Sequence, residues 1–303
     1  MDYTSLIADI RSVLPNLRVA QGESMGDHCS FRTGGPAAAM AFPTTADELE
    51  ALCVLLRQKG EKPLIIGNGT NILAPDEGLG RFVVVTCPGA GRVTVSGREV
   101  TAECGATLAA AATAAADAAL TGLEFAHGIP GSVGGGVVMN AGAYGGELKD
   151  VVARTDYLDE NLVRRAATGE EHGFSYRRSA FSARGGVILK TVFSLAPGDP
   201  EAIRGRMREL AAKRRSSQPL DMPSAGSTFK RPANGYAAAL IDQAGLKGYR
   251  IGGAQVSEKH AGFVVNAGDA TTADILRLME HIQETVFAAF GVMLEPEVRI
   301  LGR

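Results

Sequence analysis

Glycine placement decides what this chain can become. Its glycines, 38 in all, concentrate in Gly34-Gly35, in Gly67-x-Gly69, and in a run GIPGSVGGG at 128–136 that leads on to NAGAYGG at 140–146. A side chain at such positions keeps a ligand's phosphate away from the main chain, so glycine runs let several N–H groups converge on one anion. Two separated runs of this kind match the two phosphates of a single dinucleotide. The nicotinamide-binding Rossmann fingerprint does not fit: GNGTNI at 67–72 has Ile72 where the third glycine belongs, and the run at 128–136 lacks the GxGxxG register. No Walker lysine follows the glycines either.

Around these loops the pattern is mixed α+β. Thr45 and Glu48 have capping-box spacing, Leu49, Leu52, Leu55 and Leu56 follow helical periodicity and Gly60 supplies a stop, which predicts a helix over 46–59. A short buried strand, 62–66, then feeds the first glycine loop. The alanine-rich stretch 106–120 reads as a helix packed closely against a sheet. Alternation about Ser96-Gly97 and about Asp159-Glu160-Asn161 predicts two hairpins. Pro197-Gly198-Asp199-Pro200 breaks the chain before a helix at 201–215, and Gln218-Pro219 marks a boundary. The last segment predicts a helix over 272–290, capped by Thr271 and closed by Gly291, then a strand over 292–301.

A chain of 303 residues has room for two or three domains, each with its own core. A net charge of −2 argues against nucleic acid or an anionic membrane surface as partner and for a small metabolite. Cys29, Cys53, Cys87 and Cys104 show no CxxC spacing, and His127 and His172 have no metal-spaced partner, so reduced thiols and no metal site are expected. Residues 1–18 lack the apolar run of a signal peptide and no segment is apolar enough to span a bilayer, so a cytoplasmic location is expected.

Eight segments carry a resemblance: SFRTGGPA at 30–37, IGNGTNIL at 66–73, GLEFAHGIPGSVGGG at 122–136, MNAGAY at 139–144, YRRS at 176–179, GSTFK at 226–230, GLKG at 245–248 and LEPEVR at 294–299. In this order they resemble the UDP-N-acetylenolpyruvoylglucosamine reductases, in that family's compact second type. The resemblance implies an FAD-binding fold of the vanillyl-alcohol-oxidase (PCMH) type in two subdomains, 1–79 and 80–214, with FAD between them, and a smaller α+β substrate domain at 215–303. It implies NADPH-dependent reduction of the enolpyruvyl group of UDP-N-acetylglucosamine enolpyruvate to UDP-N-acetylmuramate, a step of peptidoglycan precursor synthesis. It implies no protein partner.

The resemblance assigns FAD to Gly67, Asn68, Gly69, Thr70, Asn71, Ile72 and Leu73, to Ile129, Pro130, Gly131, Ser132, Gly134 and Gly135, and to Asn140, Gly142 and Ala143. Hydride addition to an enol ether needs a cation at the carboxylate, a proton donor and a group that steadies the enolic intermediate; by resemblance these are Arg177, Ser227 and Glu297. Arg177 suits a carboxylate because its planar fork makes two parallel bonds and stays charged; Arg178 has the same chemistry. Ser227, a weak acid, needs a nearby cation, for which Lys230 is a candidate. On a strand, alternation would put Glu295, Glu297 and Arg299 on one face, with Glu295 the decoy. Tyr176, Lys230, Arg231, Lys247, His260, Asn266 and Arg214 are assigned to the substrate, with Lys259 beside them. Two other readings use the same glycine loops: a relative that oxidises an alcohol or sugar and passes electrons to oxygen, and a silent nucleotide-sugar sensor. Neither needs the surroundings of Ser227 and Glu297.

Overall fold

The computed structural model describes residues 2–87, 89–233 and 235–302. They form two compact units, each interrupted in sequence. The first runs through Gln21 and continues in Ala38–Asn68 and Arg81–Lys213; the second takes Gly22–Ala37, Gly69–Gly80 and the chain from Arg214 onward.

In the first unit, helix α1 (Tyr3–Val13) buries Leu6, Ile7 and Ile10, one stripe at helical spacing. Helix α2 (Ala46–Gln58) starts where the Thr45 hydroxyl accepts the Glu48 N–H at 3.1 Å, but Glu48 returns its carboxylate to the N–H of Thr44, at 2.6 Å, instead of that of Thr45. It ends in a Schellman motif: Gly60, at φ +76°, donates to Arg57 O, and Glu61 donates to Leu56 O. A four-stranded sheet has the order Arg18–Gln21, Ala37–Phe42, Leu79–Val85, Leu64–Ile66, the last pair parallel. The buried strand expected at 62–66 is thus shorter by two residues.

A five-stranded antiparallel sheet follows, ordered Arg164–Thr168, Val152–Leu158, Val187–Ser194, Glu99–Glu103, Val93–Ser96. Both expected hairpins are present; Asp159 closes the second by accepting N–H bonds from Asn161 and Val163 at 2.9 Å each. Helix α3 (Leu108–Asp117) buries Ala111, Ala112, Ala115 and Ala116 and lies on the strands Val93–Ser96 and Glu99–Glu103, which small side chains allow. Helices α4 (Val133–Met139), α5 (Ala180–Arg184) and α6 (Pro200–Ser217) complete the described helices of this part.

The second unit has a separate core, with Phe31, Leu73, Phe229, Val264 and Leu294 around the helix at Thr272–Phe290. Helix α7 (Ala237–Gln243) and a three-stranded antiparallel sheet, Arg250–Ile251, Ala254–Val256 and Val264–Asn266, pack with α8 (Thr272–Phe290). Along α8, Ile275, Leu278, Met279, Ile282 and Val286 are buried, and Thr271 with Asp274 forms the capping box. Truncating Leu278, fully buried, to alanine costs about 2–5 kcal/mol by the usual cavity effect.

The expected strand at 292–301 reduces to Arg299–Ile300. Pro296 has no N–H for a ladder, and the chain on either side is bonded elsewhere: Lys230 N–H to Glu295 O at 2.8 Å and Glu297 N–H to Thr228 O at 2.9 Å. The one-face alternation of Glu295, Glu297 and Arg299 therefore does not apply.

His172, which shows no metal-spaced partner in the sequence, is buried and stacks on Phe174, with ring centroids 4.9 Å apart. Its Nδ1 faces Gly169 O at 3.1 Å, so that nitrogen carries the proton, and Nε2 meets Thr155 Oγ1 at 3.0 Å. Burial lowers its pKa, and burial with the Lys247 charge lowers that of His260. A folded-state value below the unfolded one, about 6.5, means stability fully present above that pH and lost as pH falls through the folded value. The urea midpoint is expected to drop on acidification from about pH 8 toward pH 5, and His172→Gln to flatten that slope, leaving the His260 share.

Candidate active site

Two glycine loops meet in the first unit. The Ser132 hydroxyl caps α4 by accepting the Gly135 N–H at 3.2 Å. A Cβ on Gly67 would lie 2.0 Å from Ser132 Oγ, so the first loop can rest on this helix start only as glycine. Asn68 Nδ2 donates to Pro130 O at 2.5 Å and fastens the contact. The glycines of α4 then divide by role. A Cβ on Gly134 would press on Cys104 at 3.0 Å, and one on Gly136 on Leu148 and Leu108 at 3.0 and 3.1 Å, so both serve core packing. Gly135 is exposed, and its Cβ would meet only Ser132 Oγ, at 3.2 Å. Gly134, assigned to the cofactor from sequence, is explained by packing. Gly67, Asn68, Pro130, Gly131, Ser132 and Gly135 make a surface without bulky side chains at a helix start, the form a diphosphate needs. These residues fit FAD.

The rest of the first loop belongs to the second unit. Gly69, at φ +61°, crosses the segment before it so closely that a Cβ would lie 1.9 Å from His28 O. Ile72-Leu73 pairs in parallel with Arg299–Ile300, Asn71 O accepting the Arg299 N–H at 3.1 Å and Leu73 O the Leu301 N–H at 2.9 Å, and the Leu73 side chain is fully buried. Leu73 is thus held by the protein itself. The four cysteines are buried and free; burial pushes the Cys53 and Cys104 thiols up to about 12, as expected of inert reduced thiols.

Arg177 stands at the end of a network built on Asn140. Asn140 terminates α4 in the left-handed region, φ +43°, and is fully buried. Its Nδ2 donates to Glu147 Oε2 and to Ser175 O, both at 3.1 Å, and its Oδ1 accepts the Lys149 N–H at 2.9 Å. The amide is thus spent within the protein, which departs from a direct cofactor contact by that side chain. What it joins is the hairpin Gly142–Ala143/Gly146–Glu147 and the turn 175–178. Arg177, itself at φ +54°, donates to Gly142 O at 3.2 Å and lies 5.0 Å from the Tyr176 ring centroid. It is half-buried where Arg178 is exposed, a difference invisible in YRRS. Glu147, which sequence reading passed over, is held below its ordinary pKa by the Lys149 ammonium at 2.7 Å, with smaller help from Asn140 and Arg177. Nothing in GGELKD signals that role. Asn140→Gly tolerates the positive φ but removes three hydrogen bonds: Glu147 keeps the Lys149 ammonium and Ser175 O the Arg178 N–H, while the Lys149 N–H loses its amide acceptor; a loss of about 1–3 kcal/mol, read as a lowered urea midpoint with retained secondary structure, is expected.

In the second unit the serine and glutamate segments lie side by side. Phe229 bridges Pro296, and Thr228 O accepts the Glu297 N–H. Ser227 is exposed after Gly226, at φ +76°; Thr228 beneath it is buried and accepts the Val264 N–H on its hydroxyl at 2.9 Å. The Thr228 N–H reaches Gly262 O at 2.9 Å, which adds the loop 257–263 with Lys259 and His260. Lys230, the expected helper of Ser227, instead forms an ion pair with Glu295. The decoy carboxylate therefore has its own cation.

The substrate candidates separate further. Lys247 pairs with Asp242 at 2.7 Å and lies near enough to His260 to help lower its pKa. His260 Nδ1 accepts the Gly262 N–H at 3.1 Å. Asn266 is spent on structure: Oδ1 accepts N–H bonds from Gly268 and Ala270, and Nδ2 donates to Phe31 O, all at 3.1 Å. Arg231 stacks over Tyr236 at 3.9 Å, Arg214 Nε bonds Gln218 Oε1 at 2.8 Å, and Lys259 Nζ bonds Arg215 O at 2.6 Å. Tyr176 is exposed in the first unit. Asp76, which sequence reading missed, accepts the N–H groups of Thr272 and Ala273 at 2.7 and 2.9 Å and caps α8 from 196 residues away.

A family model described as an FAD binding domain matches residues 37–191, the part that holds the glycine loops and Arg177. Fold and loops together define a flavin-dependent oxidoreductase of the vanillyl-alcohol-oxidase (PCMH) type with a smaller α+β C-terminal domain. A second model, UDP-N-acetylenolpyruvoylglucosamine reductase, C-terminal domain, matches residues 218–301. Over 98% of this chain and 98% of the relative, it is 48% identical to the UDP-N-acetylenolpyruvoylglucosamine reductase of Caldanaerobacter subterraneus subsp. tengcongensis. It is 43% identical to that of Limosilactobacillus reuteri, over 98% and 99%. The crystal structure of the Thermus caldophilus reductase superposes with a TM-score of 0.81 at 33% identity, covering 94% of this chain and 99% of that one. The chain belongs to the UDP-N-acetylenolpyruvoylglucosamine reductase family.

Proposed function

We propose that the protein reduces the enolpyruvyl group of UDP-N-acetylglucosamine enolpyruvate to UDP-N-acetylmuramate, for peptidoglycan synthesis, with FAD as cofactor and NADPH as hydride donor. What supports this reading most is the bond from the Glu297 N–H to Thr228 O, which keeps the carboxylate-bearing segment beside the serine. FAD, held by the loops at 67–70 and 129–135, would supply a two-electron carrier between NADPH and the terminal carbon of the enol ether. Arg177 holds the substrate carboxylate, onto which charge is pushed as the hydride arrives. Ser227 delivers a proton to the neighbouring carbon through its Oγ, and Glu297 steadies the enolic oxygen or a water beside it.

In this reading Gly67 to Thr70 and Ile129 to Gly135 surround the cofactor, with Gly142 and Ala143 lining it through their main chain, while Asn71 to Leu73, nominated from sequence, are taken up by the segment 297–301. Lys247 and His260 are nominated for the nucleotide phosphates, with Tyr176, Lys230, Arg231 and Arg214 flanking. Segments 1–79 and 80–214 serve the flavin and 215–303 the substrate; packing groups 22–37 and 69–80 with the C-terminal segment. Among the described residues no helix is long and apolar enough to cross a membrane; we place the reaction in the cytoplasm, the location expected from the sequence. The test is product analysis: incubation with NADPH and the enolpyruvyl substrate yields a product heavier by two hydrogens, one of them from NADPH. A product of unchanged mass, with NADPH consumed only through oxygen, contradicts the assignment.

A further inference from the structure

The segment 69–73 was expected to face the cofactor, yet the Asn71 side chain does something else. Its Nδ2 donates to the main-chain carbonyl of Glu297 at 3.2 Å, and its own carbonyl accepts the Arg299 N–H at 3.1 Å. Beyond it, Ile72 and Leu73 continue as a parallel pair with Arg299 and Ile300. Glu297 is therefore held on both sides of its α-carbon. Its N–H reaches Thr228 O, next to Ser227, and its C=O receives the Asn71 amide. Regular strand pairing begins only at Arg299, and Pro296 precedes Glu297, so few other main-chain bonds fix this stretch.

We propose that Asn71 is a positioning residue for Glu297: its carboxamide donor sets where the glutamate carboxylate stands relative to the serine segment, and the residue acts on substrate reduction without serving as a flavin ligand through its side chain. The inference rests on the role of Glu297 given above. A side chain that holds a reacting group through its peptide acts by geometry, and a displacement of about 1 Å in such a group slows the step by about 100-fold.

The two half-reactions separate the possibilities. Asn71→Asp keeps the size and removes the donor; Asn71→Ser keeps a donor at shorter reach. In the purified holoenzyme, anaerobic rapid mixing follows flavin reduction by NADPH and then reoxidation by the enolpyruvyl substrate. Asn71→Asp is expected to bind flavin and be reduced at the wild-type rate while reoxidation slows about 10- to 100-fold, with Asn71→Ser between the two. Weaker flavin binding and slower reduction in both variants would overturn the proposal in favour of a direct cofactor contact. Unchanged reoxidation in Asn71→Asp, with Glu297→Gln measured alongside and slow, overturns it and leaves the role of Glu297 standing. Normal reoxidation in Glu297→Gln removes the role of Glu297 and the proposal with it.

Discussion

Replacing Ser227 by alanine is expected to leave flavin reduction by NADPH unchanged and to slow reoxidation by the enolpyruvyl substrate by about 100- to 10,000-fold, the usual worth of a positioned general acid. Ser227 is exposed on a turn whose neighbour, Thr228, carries the structural bonds: its N–H to Gly262 O, its hydroxyl to Val264 N–H and its carbonyl to Glu297 N–H. Removing the serine hydroxyl therefore leaves that framework intact, and lost activity reports chemistry. With Lys230 taken by Glu295, the serine proton has to be replenished by another route. Lys230→Met is accordingly expected to cost far less than Ser227→Ala, and an equal loss in both would restore Lys230 as the helper. Stopped-flow absorbance of the two variants decides it.

The second large effect is expected at Gly67. Alanine there puts a Cβ 2.0 Å from Ser132 Oγ, well inside contact distance, so the loop has to lift from the start of α4 or displace the Ser132 side chain that caps it. Either way the two glycine loops part, and the protein is expected to purify without flavin, its affinity for added FAD lowered at least about 100-fold for roughly 3 kcal/mol of lost binding. The double variant Gly67→Ala with Ser132→Ala removes the Oγ and leaves a 3.0 Å approach to Cβ. It is expected to regain part of the affinity despite losing the cap. Fluorescence titration of the apoprotein with FAD measures both. Retained flavin in Gly67→Ala would show that this contact does not shape the cofactor site.

Long periodic elements were legible because their signals are local. Thr271 with Asp274 and Gly291 frame α8 at the limits expected for it, and Gly60 ends α2 through two bonds that no other residue type makes as readily. The alanine-rich helix declared itself by side-chain size. What stayed hidden depends on partners far apart in sequence. The strand expected at 292–301 fails because the main chain around Pro296 bonds the segment 228–230, about 65 residues away, and Asp76 caps a helix 196 residues on.

Site residues divide along the same line. The family resemblance pointed to Arg177, Ser227 and Glu297, whereas residue type tells neither which arginine of YRRS is half-buried nor what Lys230 pairs with. Asn140 and Asn266 lie in glycine-rich or loop surroundings where a ligand contact and a structural amide look alike. Both turn out to spend their side chains within the protein, three bonds each, all to main-chain groups for Asn266 and one of them to the Glu147 carboxylate for Asn140. The glycines at 134–136 make the same point: one run, yet a Cβ on two of them meets the core and on the third almost nothing.

The most direct test of the whole account is anaerobic absorbance of the purified protein. It should carry a bound flavin that bleaches with NADPH and regains its colour promptly on addition of UDP-N-acetylglucosamine enolpyruvate in the absence of oxygen. A flavin that stays bleached with that substrate and recovers only when oxygen is admitted would contradict the reductase assignment and point to an oxidase on the same fold.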